Sequence, residues 1–183
     1  MVLPDSLIRQ FAREQGMIEP CAEPVSGGVV SYGISSYGYD MRLADEFKIY
    51  RPPAGRSVDP KAARAEDFED FTGPVLTLPP QTFCLGRSLE YFRIPRNIIT
   101  LCTGKSTYAR CGVLVNVTPL EPEWQGHVTM QIVNTTPVPV KVYAHEGIAQ
   151  VIFLANEQRP EVSYADKGGK YQNSQGITLS KTG

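Results

Sequence analysis

The sequence predicts a mainly β domain, a sandwich, barrel or jelly roll with a short N-terminal helix and few other short helices. Three observations lead there. Fifteen prolines and 16 glycines punctuate β-rich runs along the 183 residues. Helix signals are scarce after the first 16 residues. The length suits one well-buried core rather than two, so residues 1–183 read as a single domain.

The elements follow in chain order. Asp5 or Ser6 can cap a helix whose apolar face is Leu7, Ile8, Phe11 and Ala12, and Gly16 can end it. YGYDMRLADEFKIY, GPVLTLPPQTFCLGRSLEYF, NIITLCTG, GVLVNVTPL, VPVKVYA and IAQVIFLA then read as strands. Residues 51–73 are polar and charge-rich, which suits a surface excursion with at most one helical turn or two. GHVTMQIVNTT, 126–136, alternates like a strand, with polar Gln131 among Val128, Met130, Ile132 and Val133. The tail DKGGKYQNSQGITLSKTG has almost no large apolar groups, so core packing alone cannot anchor it. It is either a frayed end or an arm that orders over a ligand; residues 165–183 are taken as a flexible C-terminal arm.

Composition excludes several classes. A hydrophobic share of 42% with 20% charged residues fits a soluble globular chain, and a net charge of −1 gives no field to gather nucleic acid or an acidic membrane. An anionic ligand must be met by a local cluster. MVLPDSLIRQFAREQG lacks a signal-like apolar run, and no stretch of about 18 apolar residues occurs, so a cytoplasmic protein with no membrane and no nucleic-acid partner is expected. Cys21, Cys84, Cys102 and Cys111 lie far apart without a C-x-x-C pair, and the histidines are His127 and His145. That spacing argues against a disulfide framework and structural zinc; Cys102 and Cys111 are expected to be buried free thiols.

Three stretches carry candidate chemistry. In TGKSTYARCG, 103–112, Gly104 permits close backbone approach, Lys105 supplies charge, Ser106 and Thr107 supply hydroxyls, and Arg110 falls four residues after Ser106. Such donors suit a triphosphate, although the second glycine of a Walker motif is missing and an ordinary capped turn has the same ingredients. In VNVTPLEPEWQG, Glu121 and Glu123 can accept from a sugar hydroxyl or be solvated turn residues. In HEGIAQVIF, Gln150 faces a ligand or bonds neighbouring backbone, the latter being favoured, and His145 reads as a surface residue.

Together and in this order, these stretches resemble the family that joins trimeric dUTPases and dCTP deaminases. SYGYDMRL, GKSTYARCG, LEPEWQG, EGIAQVIF and the glycine-rich tail look like its five motifs. The long GKSTYARCG, NVTPLEPEWQGHVT and GGKYQ look like the dCTP deaminase branch, across essentially the whole chain. The resemblance implies a distorted jelly-roll of the dUTPase-like β-clip type. It also implies a homotrimer with sites between subunits, Mg2+ bound through the nucleotide phosphates, no zinc, and conversion of dCTP to dUTP and ammonia. Inhibition by dTTP is a further possibility of the same kind. By resemblance, Lys105, Ser106, Thr107, Tyr108, Ala109 and Arg110 bind the triphosphate, with Ser106 and Arg110 organising the water. Thr129, Met130 and Gln131 border base and sugar, Glu121 lies near the deoxyribose, and Gln150, Tyr164, Lys170 and Ser174 complete the nucleotide site.

Two positions depart from the pattern. Ser174 stands where the family has Gln, with Gln175 beside it, and Gln131 stands where the family has the proton-shuttling Glu. Hydrolysis at C4 needs one group that takes a proton from water and returns one to the leaving amine, work an amide cannot do. The expectation is a chain that binds dCTP and turns it over poorly or not at all. The alternatives are a dUTPase or bifunctional dCTP deaminase/dUTPase, which needs Glu121 to activate water at the α-phosphate, and a non-catalytic nucleotide sensor.

Overall fold

A computed structural model describes residues 1–182. The elements are α1 (Asp5–Gln15), β1 (Ile18–Glu19), β2 (Gly33–Ser35), β3 (Gly38–Tyr50), a 3-10 turn (Ala65–Asp67), β4 (Phe68–Thr72), β5 (Val75–Leu78) and β6 (Phe83–Arg93). They continue with β7 (Ile98–Gly104), α2 (Ser106–Ala109), β8 (Val113–Asn116), β9 (Gln125–Asn134), β10 (Val140–Tyr143) and β11 (Gly147–Ala155). The chain is mainly β, as its punctuation predicts.

The main sheet runs β7-β11-β3-β6-β9-β8, with β1 on β6 and both β2 and β4 on β3; β5 and β10 form a separate pair. Bulges fall between Leu43 and Phe47 on β3 and between Arg87 and Tyr91 on β6, where two extra residues bend a strand. The sheet therefore curls until its end strands meet. A Cβ on Gly104 of β7 would lie 3.2 Å from Val115 Cβ of β8, so the missing side chain lets the barrel nearly close.

Strict alternation on β6 and β9 sends Phe92, Val128, Met130 and Ile132 inward to join Tyr39, Met41, Phe47 and Phe153. Helix α1 plugs one side with Ile8, while Leu7, Phe11 and Ala12 pack against the core. No side chain caps α1: Pro4 is the N-cap and Asp5 is already helical, its carboxylate accepting from Ser6 N–H at 2.8 Å and from Arg9 at 2.7 Å. Gly16, at φ +64°, ends the helix as expected by donating to Ala12 O.

Besides the cap of α1, two expectations need correction. The 51–73 excursion contains a strand, because Phe68 packs on Tyr50 and Phe71 on Phe47, anchoring β4 to β3 despite its acids. Cys111 is exposed and Cys102 only partly buried, since Cys111 lies on the turn leaving α2.

Candidate active site

A cleft of ≈ 640 Å³ opens on the outer side of β9, between the 117–124 segment and the C-terminal arm. Its walls include Glu121, Trp124, His127, Thr129, Tyr164, Lys170, Tyr171, Ser174 and Thr178. Five sequence-predicted residues, Glu121, Thr129, Tyr164, Lys170 and Ser174, therefore meet in one place. Strand alternation puts Gln131 on the same face as His127 and Thr129, half-buried, opposite Asn116 of β8 and Leu85 of β6. Met130 is 1% exposed and faces the core, so it offers a ligand its backbone alone.

The arm is held by hydrogen bonds rather than by apolar packing. Ser174 O accepts from His127 N–H at 2.8 Å, and Thr178 N–H donates to Thr129 Oγ1 at 3.0 Å. Trp124 Nε1 donates to Tyr171 O at 3.0 Å, and Tyr171 N–H donates to Tyr164 Oη at 3.0 Å. Gln172 reaches the same turn twice, donating to Glu123 O at 2.8 Å and accepting from Gln125 N–H at 3.1 Å. The contact is tight at Gly126, φ +150°, where a Cβ would come within 2.8 Å of Ser174 N.

His127, which the sequence did not single out, has a defined state. The bulge on β6 leaves Ser88 O and Glu90 O both 3.1 Å from His127 Nδ1. Carbonyl oxygens only accept, so Nδ1 carries the proton and Nε2 is left as an acceptor; Arg87 Nη1, at 3.4 Å, is the weaker neighbour. Burial, then the charge of Arg87, pushes the His127 pKa below its ordinary value and favours the neutral ring. Its position four residues before Gln131 on an alternating strand was the available signal.

Beneath the bulge lies Glu90, with its side chain 0% exposed. One oxygen accepts from Tyr39 Oη at 3.0 Å and from Arg42 Nε at 2.7 Å, and the other from Arg42 N–H at 2.9 Å. Ser88 Oγ links the bulge back to β9, donating to Glu90 O and accepting from Val128 N–H. This polar core holds His127 and the start of β9 in place.

Neither Met130 nor Gln131 is among the cleft's lining residues, and the remaining predicted residues do not line it either. Ser106, Thr107, Ala109 and Arg110 are exposed on and just after α2, where Arg110 Nη1 donates to Ser106 O at 3.0 Å. Tyr108 is buried, its hydroxyl accepting from Tyr143 N–H at 3.0 Å. Lys105 pairs with Asp40 at 2.5 Å, and Gln150 Nε2 donates to Ser35 Oγ at 3.1 Å rather than to backbone. His145 is exposed on its turn, as expected. Within one chain the candidates thus form two groups: a cleft set and a set around α2. Among the described residues, no group of three or more His, Cys, Asp or Glu side chains is placed to hold a metal.

A dCTP deaminase-like family model matches residues 2–156. The chain is 56% identical over 183 residues to the dCTP deaminase of Azotobacter vinelandii, with 97% of each covered. It is 58% identical over 178 residues to that of Gemmatimonas aurantiaca, again with 97% of each covered. The fold also matches a crystal structure of 2'-deoxycytidine 5'-triphosphate deaminase from Agrobacterium tumefaciens at TM-score 0.66 and 14% identity, covering 85% of this chain and 48% of that one. With the motifs in order on a barrel of this topology and identities above half over nearly the full length, the chain belongs to the dCTP deaminase-like family.

Proposed function

We propose that the cleft on β9 binds dCTP with Mg2+ on its phosphates, and that Gln131 leaves hydrolytic deamination to dUTP and ammonia slow or absent. One observation carries this reading: Gln131 stands one alternation from Thr129, on the face where the cleft opens. A carboxylate there could take a proton from water attacking C4 and hand one to the departing amine. An amide of the same shape can only hydrogen-bond.

Each group has a part within this reading. Ser106 and Arg110 orient the water and meet phosphate, with Lys105, Thr107 and the backbone of Tyr108 and Ala109 beside them. Glu121 faces the sugar, and Gln150, Tyr164, Lys170 and Ser174 complete the enclosure. Mg2+ neutralises phosphate charge when bound. The sequence lacks the H-x-E and P-C-x-x-C pattern of zinc deaminases, which supports zinc-independent chemistry.

The two residue groups support a site completed between subunits. Exposed donors on α2 are free to meet a neighbouring cleft, and apolar Ile99, Leu101 and Leu114 are 42%, 52% and 57% exposed. A homotrimer burying that strip gives each cleft a second chain's α2, and sedimentation at micromolar concentration tests it. A cytoplasmic setting is part of the same reading.

A second reading has its own support in Gln131: a nucleotide sensor that binds dCTP or dTTP and orders its arm without chemistry. The dUTPase alternative relies on Glu121, which is already engaged by Lys167 at 2.8 Å. The test is a calorimetric titration of Mg-dCTP, followed in parallel by fluorescence of Trp124, the chain's single tryptophan. Saturable binding with little ammonia release is expected. No binding, or brisk release with Gln131 in place, would overturn the proposal.

A further inference from the structure

Arg96 lies at the β6–β7 corner, outside every group assigned so far. Its Nη1 donates to Glu123 Oε2 at 2.7 Å, and its Nη2 donates to Asp166 Oδ2 at 2.8 Å and to Glu161 O at 3.0 Å. The same corner holds the turn before β9 through backbone: Ile94 N–H donates to Trp124 O at 2.9 Å, and Glu123 N–H donates to Ile94 O at 3.0 Å. The 161–166 segment pairs with no strand; its backbone tie to that turn is at its middle, where Tyr164 N–H donates to Pro122 O at 2.9 Å. Asp166 orders it locally by accepting Ser163 N–H at 2.9 Å, and Tyr164, between them, forms part of the cleft wall.

A hollow of ≈ 540 Å³ behind Trp124, lined in part by Arg96, Glu123 and Gln172, adjoins this junction, while Tyr164 packs against the core on its own side. At either end of the segment, Glu161 and Asp166 are reached by Arg96. A planar guanidinium spans two carboxylates from different segments, which a single ammonium cannot do with the same geometry. The other ties, Trp124 to Tyr171 and Gln172 to Glu123, join arm to turn further along the chain.

We infer that Arg96 is a positioning residue: it latches the 161–166 corner of the arm to the body of the barrel, so that Tyr164 and Lys170 are in place before a nucleotide arrives. This rests on the reading of the cleft as a nucleotide site. The arm's order in the free protein, however, tests the latch without any ligand.

The experiment compares the parent with Arg96→Gln, Arg96→Lys and Asp166→Asn by backbone hydrogen exchange without ligand, then by Mg-dCTP titration. Arg96→Gln is expected to speed exchange across residues 161–174 while β3 and β6 keep their protection, and to weaken dCTP binding about tenfold. Arg96→Lys recovers part of both effects. Placed on a Gln131→Glu background, Arg96→Gln raises KM about tenfold and leaves kcat within about twofold, because a bound nucleotide closes the arm regardless. Unchanged exchange at 161–174, or faster exchange throughout the barrel, would overturn the latch. Asp166→Asn supplies the same readout if Arg96→Gln does not fold. If the parent fails to bind dCTP while the exchange result holds, the nucleotide reading falls and the latch stands.

Discussion

Replacing Arg42 with Met removes the guanidinium that faces Glu90, whose side chain is 0% exposed, while Arg42 itself is 16% exposed. Breaking a buried pair from one side costs about 3–5 kcal/mol, mostly as an uncompensated charge. The lower end, about 3 kcal/mol, applies here. Glu90 keeps the Tyr39 hydroxyl at 3.0 Å and the residue-42 backbone N–H at 2.9 Å. In a chain of 183 residues that loss lowers Tm by roughly 6–12 °C. Burial, opposed by Arg42, already holds the Glu90 carboxyl above its ordinary value. The folded chain then grips this proton more tightly than the unfolded one, so the contribution favours folding at low pH and fades as pH climbs through the raised value. Losing Arg42 raises that value further, so the gap between variant and parent widens as pH rises above the ordinary carboxylate range. Thermal melts followed by circular dichroism at fixed protein concentration measure both effects. Equal Tm at the higher pH, or a gap independent of pH, would mean that Arg42 does not compensate a buried Glu90 charge. The double change Arg42→Met with Glu90→Leu is expected to recover most of the loss, since it leaves no orphan charge.

Two further outcomes follow from the arm and from His127. In Gly126→Ala the new Cβ meets Ser174 N at 2.8 Å and must displace the arm. Weaker dCTP binding by about tenfold, with red-shifted Trp124 emission and an arm open to protease, is expected. His127 has its pKa lowered in the folded chain. Its contribution to stability is therefore present above the unfolded value and lost as pH falls through the lowered one. Urea titrations across that window should show the slope in the parent and a flatter profile in His127→Gln.

Much of the barrel was legible because β7, β8, β10 and β11 are apolar runs bounded by Pro and Gly, and because β9 alternates in plain view. On β6 the hydrophobic signal misleads: Ser88 and Glu90 point inward while Leu85 and Leu89 sit half-buried on the outer face. A covered outer face and a hydrogen-bonded inner one remove the usual contrast. Strand β4 was hidden by Glu69 and Asp70, although Phe68 and Phe71 supply its anchors. The cleft set around Thr129 and Glu121 was readable from motifs, but the arm's path was not, since backbone bonds such as His127 N–H to Ser174 O leave no mark on side-chain chemistry. Arg96 was missed for a related reason: its partners lie 27, 65 and 70 residues away, and one of them is a carbonyl.

We propose that a single amide at 131 separates this chain from a working deaminase. Ammonia release from Mg-dCTP by Gln131→Glu, beside the unaltered chain and with binding measured on both, tests it most directly. Turnover rising by about 10²-fold or more, at similar affinity, is the expected result. A Gln131→Glu protein that binds dCTP and still releases no ammonia would contradict it.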